Sequence, residues 1–158
     1  MATFFPSATV DAVNAYYTAH FREYAHHVTV DPQSAPILDA LRQRGIRTAA
    51  ITNTPAVLAR QILEATQLKP EALVGGDDVP RGKPAPDMVY YACTILGVTP
   101  KEALVVGDSL YDREAAAAAG VSFAGVRGLH GDHTWRALAD VIGIVDAANE
   151  RHKAAGGR

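Results

Sequence analysis

The stretch "ALVVGDSLYDREAAAAAG", residues 103–120, decides the fold of this 158-residue chain. Its apolar run at residues 104–106 is typical of a buried parallel strand, and its alanine-rich second half is typical of a helix. Gly107 lets the backbone turn between the two. Asp108 and Asp112 flank that turn, which indicates a metal site at the end of a strand. The alternative is a pair of acids that favour the positive end of a helix dipole.

The rest of the chain repeats this alternation of short apolar runs and amphipathic segments. We predict strands at residues 46–52, 72–76, 102–108 and 121–126, and helices at residues 8–26, 34–45, 53–68, 86–97 and 110–120. Residues 140–153 are predicted to form a short strand and a terminal helix. This order is typical of an α/β fold with a parallel sheet, in which ligands bind at the carboxyl ends of the strands.

Composition excludes several classes of protein. Fifteen basic and seventeen acidic residues give a formal charge of -2, without the basic stripe that nucleic-acid binding needs. No apolar run approaches the roughly 18 residues that span a membrane. The first ten residues lack the pattern of a signal peptide. The single cysteine, Cys93, excludes an internal disulfide, and we expect a cytoplasmic protein without nucleic-acid or membrane partners.

Two further predicted strand ends carry polar residues. In "ITNTP", Thr52 and Asn53 leave a strand, and Thr54 and Pro55 begin a helix, an arrangement that forms either an anion site or an ordinary helix cap. In "GGDDVPRGKPAPD", Lys83 lies in a stiff loop, where it either neutralises a phosphate or carboxylate or is a solvated loop lysine.

Two acidic or histidine-containing groups are weaker candidates. Asp77 and Asp78 are interpreted either as metal ligands or as turn residues. The loop "LHGDH" (His130, Asp132, His133) is either a metal site or a polar loop.

Taken together, a hydroxyl-bearing strand end, a loop lysine and a GDSxxD turn indicate phosphoryl transfer. Lysine and Mg²⁺ neutralise charge in such sites, while main-chain amides hold phosphate oxygens. Carboxylates of this kind suit Mg²⁺, which takes one or two of them and keeps several waters.

These motifs resemble those of the haloacid dehalogenase (HAD) superfamily. "ITNTP" resembles its second motif, "RGKPAPD" its third and "VVGDSLYD" its fourth, most closely in the phosphoglycolate phosphatase-like branch with a helical cap. The resemblance runs from about residue 8 to residue 145. It implies a Rossmann-like, three-layer parallel sheet and Mg²⁺-dependent hydrolysis of a phosphate ester through an aspartyl-phosphate.

By motif, the resemblance implies a role for each candidate residue. Thr52 would bind the phosphoryl group with Asn53 beside it, and Lys83 would hold the nucleophile and the phosphate. Asp108 would ligate Mg²⁺, and Asp112 would support the metal or its waters. The substrate class implied is a small phosphorylated metabolite.

The chain departs from the family at its first motif, DxDxT, which supplies the nucleophilic aspartate and has no counterpart here. In the family that motif follows the central strand, between the strands that end at Thr52 and Asp108. Loss of that strand would leave two rows of unpaired main-chain groups. Each buried unpaired group costs about 1–3 kcal/mol, whereas the whole domain is stable by about 5–15 kcal/mol.

Three ways of replacing the missing central strand remain open. The segment "ATFF", residues 2–5, would be a residual strand, with Pro6 near the place of the nucleophile. A second copy of the chain would complete the sheet as a homodimer. Lastly, the chain would be a truncated piece of a longer protein, or a partner chain would supply the strand.

We therefore expect residues 1–33 to be an N-terminal segment with a remnant cap helix, residues 34–150 a Rossmann-like core, and residues 151–158 a flexible tail. Two functions remain open. One is a Mg²⁺-dependent phosphatase of a small phosphomonoester, inactive or impaired as this chain alone. The other is a non-catalytic relative or binding protein that keeps a phosphate and Mg²⁺ pocket.

Overall fold

The computed structural model describes residues 9–126, 128–131, 133–134 and 140–156. Helices and strands alternate along these residues in the order α1 (Val10–Tyr24), α2 (Ser34–Gln43), β1 (Ala49–Ile51), α3 (Ala56–Thr66), β2 (Ala72–Val74), α4 (Asp87–Leu96), β3 (Leu104–Gly107), α5 (Leu110–Ala119), β4 (Ser122–Gly125), β5 (His133–Thr134) and α6 (Asp140–Gly156). Short 3₁₀ turns lie at Ala25–His27 and Pro100–Glu102. Every described strand pair is parallel, which confirms the predicted α/β class.

The described strands form two separate sheets, β1–β2 and β3–β4–β5. In the first, Ala49 pairs with Ala72; in the second, Leu104 pairs with Ser122. Within the described ranges, no strand pairs with the edge of β1 that faces away from β2, or with the edge of β3 that faces away from β4. The expectation of a parallel sheet that is incomplete at its first strand is confirmed for this part of the chain.

The open edge of β1 carries two residues whose main-chain groups point away from β2. Thr52 donates its N–H to Val74, and Thr48 accepts from Ala72, so the even-numbered residues face β2. Because successive residues of a strand point their N–H and C=O groups to opposite sides, those of Ala49 and Ile51 face the other way.

The same alternation applies to β3. The carbonyl of Gly107 accepts from Val126 on the β4 side, so Leu104 and Val106 direct their main-chain groups to the open side. The exposure of Val106, 37%, is high for the middle of a parallel strand.

Helix α4 contributes to the apolar core of both sheets. Met88 and Ala92 pack with Val74 beside the β1–β2 sheet. Val89 and Cys93 belong to the cluster of β3, β4 and α5. Ile51 of β1 packs against both clusters, so the sheets share a helix and one strand residue although they share no ladder.

Small side chains bring α5 close to β3 and β4. Ala115 and Ala116 are fully buried, and Ala119 is nearly so. On the far face of β4, a third cluster joins α2 to α6 through Ile37, Leu41, Ala124 and Val141. The second sheet is therefore covered on both faces, as parallel sheets require.

Several helix boundaries differ from the sequence prediction. Thr9 caps α1 by accepting from the N–H of Ala12. Residues 2–5 and Pro6, the candidate for a residual strand, lie outside the described residues. Helix α2 begins at Ser34 without a side-chain cap. The predicted short strand near residue 140 is wrong, because residues 140–156 are helical throughout. That helix includes residues 151–156 of the tail that was expected to be flexible. The division of the chain into residues 1–33, 34–150 and 151–158 stays a prediction.

Helix α1 packs against α3, but only part of its apolar surface is covered. Phe21 is buried, whereas Val10 is 75% exposed and Tyr17 is 50% exposed. None of the described helices combines the length and the apolarity that a membrane span requires.

Candidate active site

The turn between β3 and α5 holds Asp112 by a closed set of local hydrogen bonds. Ser109 Oγ accepts from the main-chain N–H of Asp112 at 3.2 Å and donates to Asp112 Oδ2 at 2.6 Å. The N–H of Ser109 donates to the same oxygen at 3.2 Å. This reciprocal pattern is a capping box. Gly107 is required beside it, because a Cβ there would lie 2.5 Å from Cβ of Asp112.

Lys83 reaches this carboxylate from the loop that precedes α4. Its Nζ lies 2.6 Å from Asp112 Oδ1 and donates to the carbonyl of Ile51 at 3.0 Å. The Lys83 side chain is 11% exposed and that of Asp112 is 12% exposed. Since Ile51 directs its carbonyl away from β2, the ammonium group satisfies a main-chain acceptor on the open edge of β1 and joins the two sheets.

The environment of Asp112 favours its ionised form. Burial by itself raises the pKa of the Asp112 carboxyl, but the hydrogen bond and charge of Lys83 and the hydrogen bonds from Ser109 outweigh that effect. The net result is a pKa below the ordinary value. Both oxygens of this carboxylate accept hydrogen bonds from the chain, so it is an anion that is held in place.

Asn53 contacts the loop that carries Lys83. Its Nδ2 donates to the Lys83 carbonyl at 2.8 Å, and its Oδ1 accepts from the Lys83 N–H at 2.8 Å. Gly82 leaves room for this pairing, because a Cβ there would lie 2.7 Å from Asn53 Oδ1. Sequence reasoning placed Asn53 beside the phosphate and missed this pairing, since nothing local in "ITNTP" indicates a partner 30 residues away.

Thr52 directly follows β1 and is half-buried. Its Oγ1 accepts from the N–H of Thr54 at 3.2 Å, which turns the chain after the strand. The hydroxyl proton remains able to donate to an anion. The structure thus brings the strand end of Thr52 and the Lys83–Asp112 pair together through Ile51, the residue before Thr52.

Asp77 and Asp78 make turn and cap contacts. Asp77 Oδ1 accepts from the N–H of Ala56 at 2.7 Å, and Asp78 Oδ2 accepts from the N–H of Gly75 at 2.8 Å. The predicted cap of α3, Thr54, is therefore wrong: the cap position is Pro55, and the carboxylate of Asp77 supplies the hydrogen bond. Of the two interpretations left open for these acids, the turn role has the observed contacts.

Asp108 lies directly after β3 with an exposed side chain, four residues before Asp112. In the part of the chain that the structure describes, no three His, Cys, Asp or Glu side chains form a cluster able to hold a metal. Mg²⁺ does not require such a cage, because it binds through one or two carboxylates and retains waters. The exposed Asp108 carboxylate is a ligand of this kind, and Asp112, whose two oxygens already accept hydrogen bonds, would contact the waters of the ion, so the donor set fits Mg²⁺.

The "LHGDH" loop falls partly outside the described residues. His130 is exposed, Asp132 is not described, and of His133 only the backbone, in β5, is described. The metal interpretation of this loop stays a prediction.

Comparison with known proteins identifies the family. The model of the haloacid dehalogenase-like hydrolases matches residues 3–120, well over half of the chain. A phosphoglycolate phosphatase of Cupriavidus necator is 40% identical over 124 residues, covering 75% of this chain and 53% of that protein. The phosphoglycolate phosphatase of Thiobacillus denitrificans is 34% identical over 123 residues, with 73% and 52% covered. The chain thus spans about half the length of these curated relatives.

Solved structures agree with this assignment. A HAD-superfamily hydrolase from Geobacter sulfurreducens superposes with a TM-score of 0.76 at 26% identity, covering 85% of this chain and 70% of that one. A HAD phosphatase from Thermococcus onnurineus gives a TM-score of 0.75 at 31% identity, covering 82% and 64%. With the sequence match, the parallel fold and the motifs at its strand ends all in agreement, the chain belongs to the haloacid dehalogenase-like hydrolases.

Proposed function

We propose that this chain carries the phosphate- and Mg²⁺-binding part of a phosphatase site for a small phosphomonoester, of the phosphoglycolate phosphatase type. The observation that carries the proposal is the buried ion pair of Lys83 and Asp112, which connects the end of β1 with the turn after β3. A buried ammonium group held at two points, at the strand end that is followed by the Thr52 hydroxyl, matches the needs of a phosphoryl group. The phosphatases among the relatives support the same reaction class.

In this proposal each residue of the site has one task. Lys83 neutralises the charge of the phosphoryl oxygens, and the Thr52 hydroxyl donates to one of them. Asn53 lies beside Thr52 at the same strand end. Asp108 would hold Mg²⁺, and Asp112 would orient Lys83 and the waters of the metal. When bound, Mg²⁺ would supply charge neutralisation for the phosphate ester.

The nucleophile is the missing part. The sequence holds no DxDxT motif, and in the described residues β1 and β3 each keep an open edge where the strand carrying that motif lies in the family. We propose that this chain alone binds phosphate and Mg²⁺ without appreciable hydrolysis. A second copy of the chain would complete the sheet without supplying the aspartate, because it lacks DxDxT as well. The aspartate would come from a partner chain or from the rest of a longer protein. The single buried Cys93 accords with a reducing cytoplasm as the place where this occurs.

Binding of inorganic phosphate to the full chain tests the proposal. Isothermal titration in the presence of Mg²⁺ would be compared for the wild type, Lys83→Ala and Lys101→Ala, an exposed lysine that serves as the matched control. We expect Lys83→Ala to weaken binding at least about tenfold, as loss of a charge-assisted hydrogen bond implies, and Lys101→Ala to leave it unchanged. A wild type that binds no phosphate, or a Lys83→Ala variant that binds equally well, contradicts the proposal.

The second candidate, a non-catalytic binding protein, is favoured by the absence of DxDxT. The phosphatase and the binding protein differ in whether they hydrolyse a phosphate ester once a strand with DxDxT is supplied. Hydrolysis of p-nitrophenyl phosphate and phosphoglycolate would be measured with the chain alone and in mixture with a peptide that carries an apolar strand and DxDxT. Turnover in the mixture above that of an Asp108→Ala control supports the phosphatase, whereas binding without turnover in either condition supports the binding protein.

A further inference from the structure

Lys83 must be positioned by something other than its own secondary structure. It lies in the irregular segment between β2 and α4, and the nearest main-chain bond is a turn in which Ala85 donates to Gly82. A lysine side chain has four rotatable bonds, so a mobile backbone at Lys83 would spread the ammonium group over several ångströms. The contacts of Nζ with Asp112 and Ile51 fix only the far end of the side chain.

The near end is fixed by Asn53. Its carboxamide uses one donor and its acceptor on the carbonyl and the N–H of the same residue, Lys83, both at 2.8 Å. An amide group paired in this way with both main-chain groups of one residue holds that residue in position as well as in orientation. The chain at the end of β1 therefore contacts Lys83 at two points. The Ile51 carbonyl binds the ammonium group, and Asn53 binds the backbone.

The surroundings of Asn53 accommodate this arrangement. Gly82 has no Cβ to collide with Asn53 Oδ1, and Gly76 leaves space beside the Asn53 carbonyl, where a Cβ would approach to 2.3 Å. Two glycines from the same loop thus leave room for one asparagine, which is why the loop can approach the end of β1 so closely.

We infer that Asn53 is a positioning residue for Lys83: its carboxamide holds the lysine backbone so that the ammonium group stays between Ile51 and Asp112. Its effect on phosphate binding is therefore exerted through Lys83 and not through a direct contact with the anion. The link to phosphate rests on the proposed function, whereas the hold on Lys83 does not.

The first experiment measures the reactivity of lysines in the full chain without any ligand. Each lysine would be labelled with limiting acetic anhydride and quantified by peptide mass spectrometry, with the exposed Lys69 and Lys101 as internal references. We expect Asn53→Ala to raise the labelling rate of Lys83 about tenfold, in line with the loss of two hydrogen bonds, and to leave the references unchanged. Asn53→Asp keeps the acceptor for the Lys83 N–H and should lie between the two.

The second experiment is a double-mutant cycle on phosphate binding. Asn53→Ala should weaken the binding of inorganic phosphate in the wild-type background and add nothing in the Lys83→Ala background. Asn14→Ala, on α1, is the matched control and should change neither labelling nor binding. Circular dichroism would confirm that every variant is folded; should Asn53→Ala not fold, the Asn53→Asp variant of the same shape carries the test.

The outcomes separate the two proposals. Unchanged labelling of Lys83 in both Asn53 variants overturns the positioning role. An equal loss of phosphate binding from Asn53→Ala in both backgrounds also overturns it, because Asn53 would then contact the anion directly. If the wild type binds no phosphate, the proposed function fails, and the labelling rates alone decide whether Asn53 positions Lys83.

Discussion

The two sheets of this protein hold their parts of the site by different means. On the β1–β2 side, the residues after the strands are held by side chains that bind main-chain groups of another loop, as Asn53 binds Lys83 and Asp77 binds Ala56. On the β3–β4–β5 side, Asp112 is held within one turn by Ser109. The second half is therefore set locally by its helix start, whereas the first depends on two loops meeting correctly.

The halves also differ in how they are buried. The β3–β4–β5 sheet is covered on both faces by two apolar clusters. Among the described residues, β1 and β2 share a smaller cluster with α4, and α3 also packs against β2. What joins them is α4 and Ile51 in the core and the Lys83–Asp112 pair at the strand ends. Within the described residues, a helix and one ion pair thus connect the two sheets, and no strand ladder does.

The largest expected effect comes from the core of the better-covered half. Phe123, 3% exposed, lies in the cluster of α4, α5, β3 and β4. Phe123→Ala should lower the free energy of unfolding by about 3–5 kcal/mol, and Met88→Ala, in the other cluster, by about 2–5 kcal/mol. Urea denaturation would be followed by circular dichroism and by the reactivity of Cys93, whose burial raises the pKa of its thiol.

Helix α4 contributes to the cluster of Phe123 and to that of Met88. We therefore expect the unfolding transitions followed by circular dichroism and by Cys93 reactivity to shift together in each variant. Separate transitions, with one variant moving only one of them, would show that the halves unfold independently and that α4 does not couple them.

The next effect concerns the pair that joins the halves. Lys83→Met keeps the aliphatic stem but leaves Asp112 Oδ1 without its cation, and should cost about 3 kcal/mol in the free energy of unfolding. The matched control is Arg81→Ala, which breaks a pair with Asp87 in which Arg81 is 70% exposed, and should cost less than about 1 kcal/mol. Equal losses in the two variants would mean that the burial of the Lys83–Asp112 pair does not matter for stability.

A smaller effect is the pH dependence that Asp112 contributes. Its pKa is lowered in the folded state, so the unfolded state binds more protons just below the ordinary aspartate pKa of about 3.9. The stabilisation is therefore complete above that pH and is lost as the pH falls towards the lower, folded-state pKa. Urea midpoints measured between pH 6 and pH 3 without divalent cations should fall more steeply in the wild type than in Lys83→Met, and parallel curves would contradict this origin.

The smallest effect is expected on the exposed side of α6. Gly143 is an exposed residue inside α6, and a Cβ there would meet no atom within 4 Å. Gly143→Ala should raise the free energy of unfolding by about 0.5–1 kcal/mol through helix propensity alone. Gly107→Ala is the informative contrast, because its new Cβ would collide with Asp112 and should destabilise the protein. A Gly143→Ala variant that is also destabilised would show that the first turn of α6 is constrained by more than its own helix.

The sequence alone predicted the α/β class, the parallel strands and the types of residue at their ends. These features depend on apolar runs, helix periodicity and turn residues, all of which act within a few positions. The capping box of Ser109 and Asp112 is of the same kind, because its residues are three positions apart. The absence of a DxDxT motif, and with it the expectation of an incomplete sheet, was likewise readable from the residues.

Tertiary structure alone decided which residues meet. Asp77 caps α3 across 21 residues, where the local pattern favoured Thr54, and Asn53 binds the backbone of Lys83 across 30. The pairing of Lys83 with Asp112 depends on α4 and α5 packing so that two loops end at one point. The sequence by itself determined the chemical groups available to this protein. Only the packing of α4 against the cores of both sheets decided that these groups form one site, because contacts between distant loops follow from the fold as a whole.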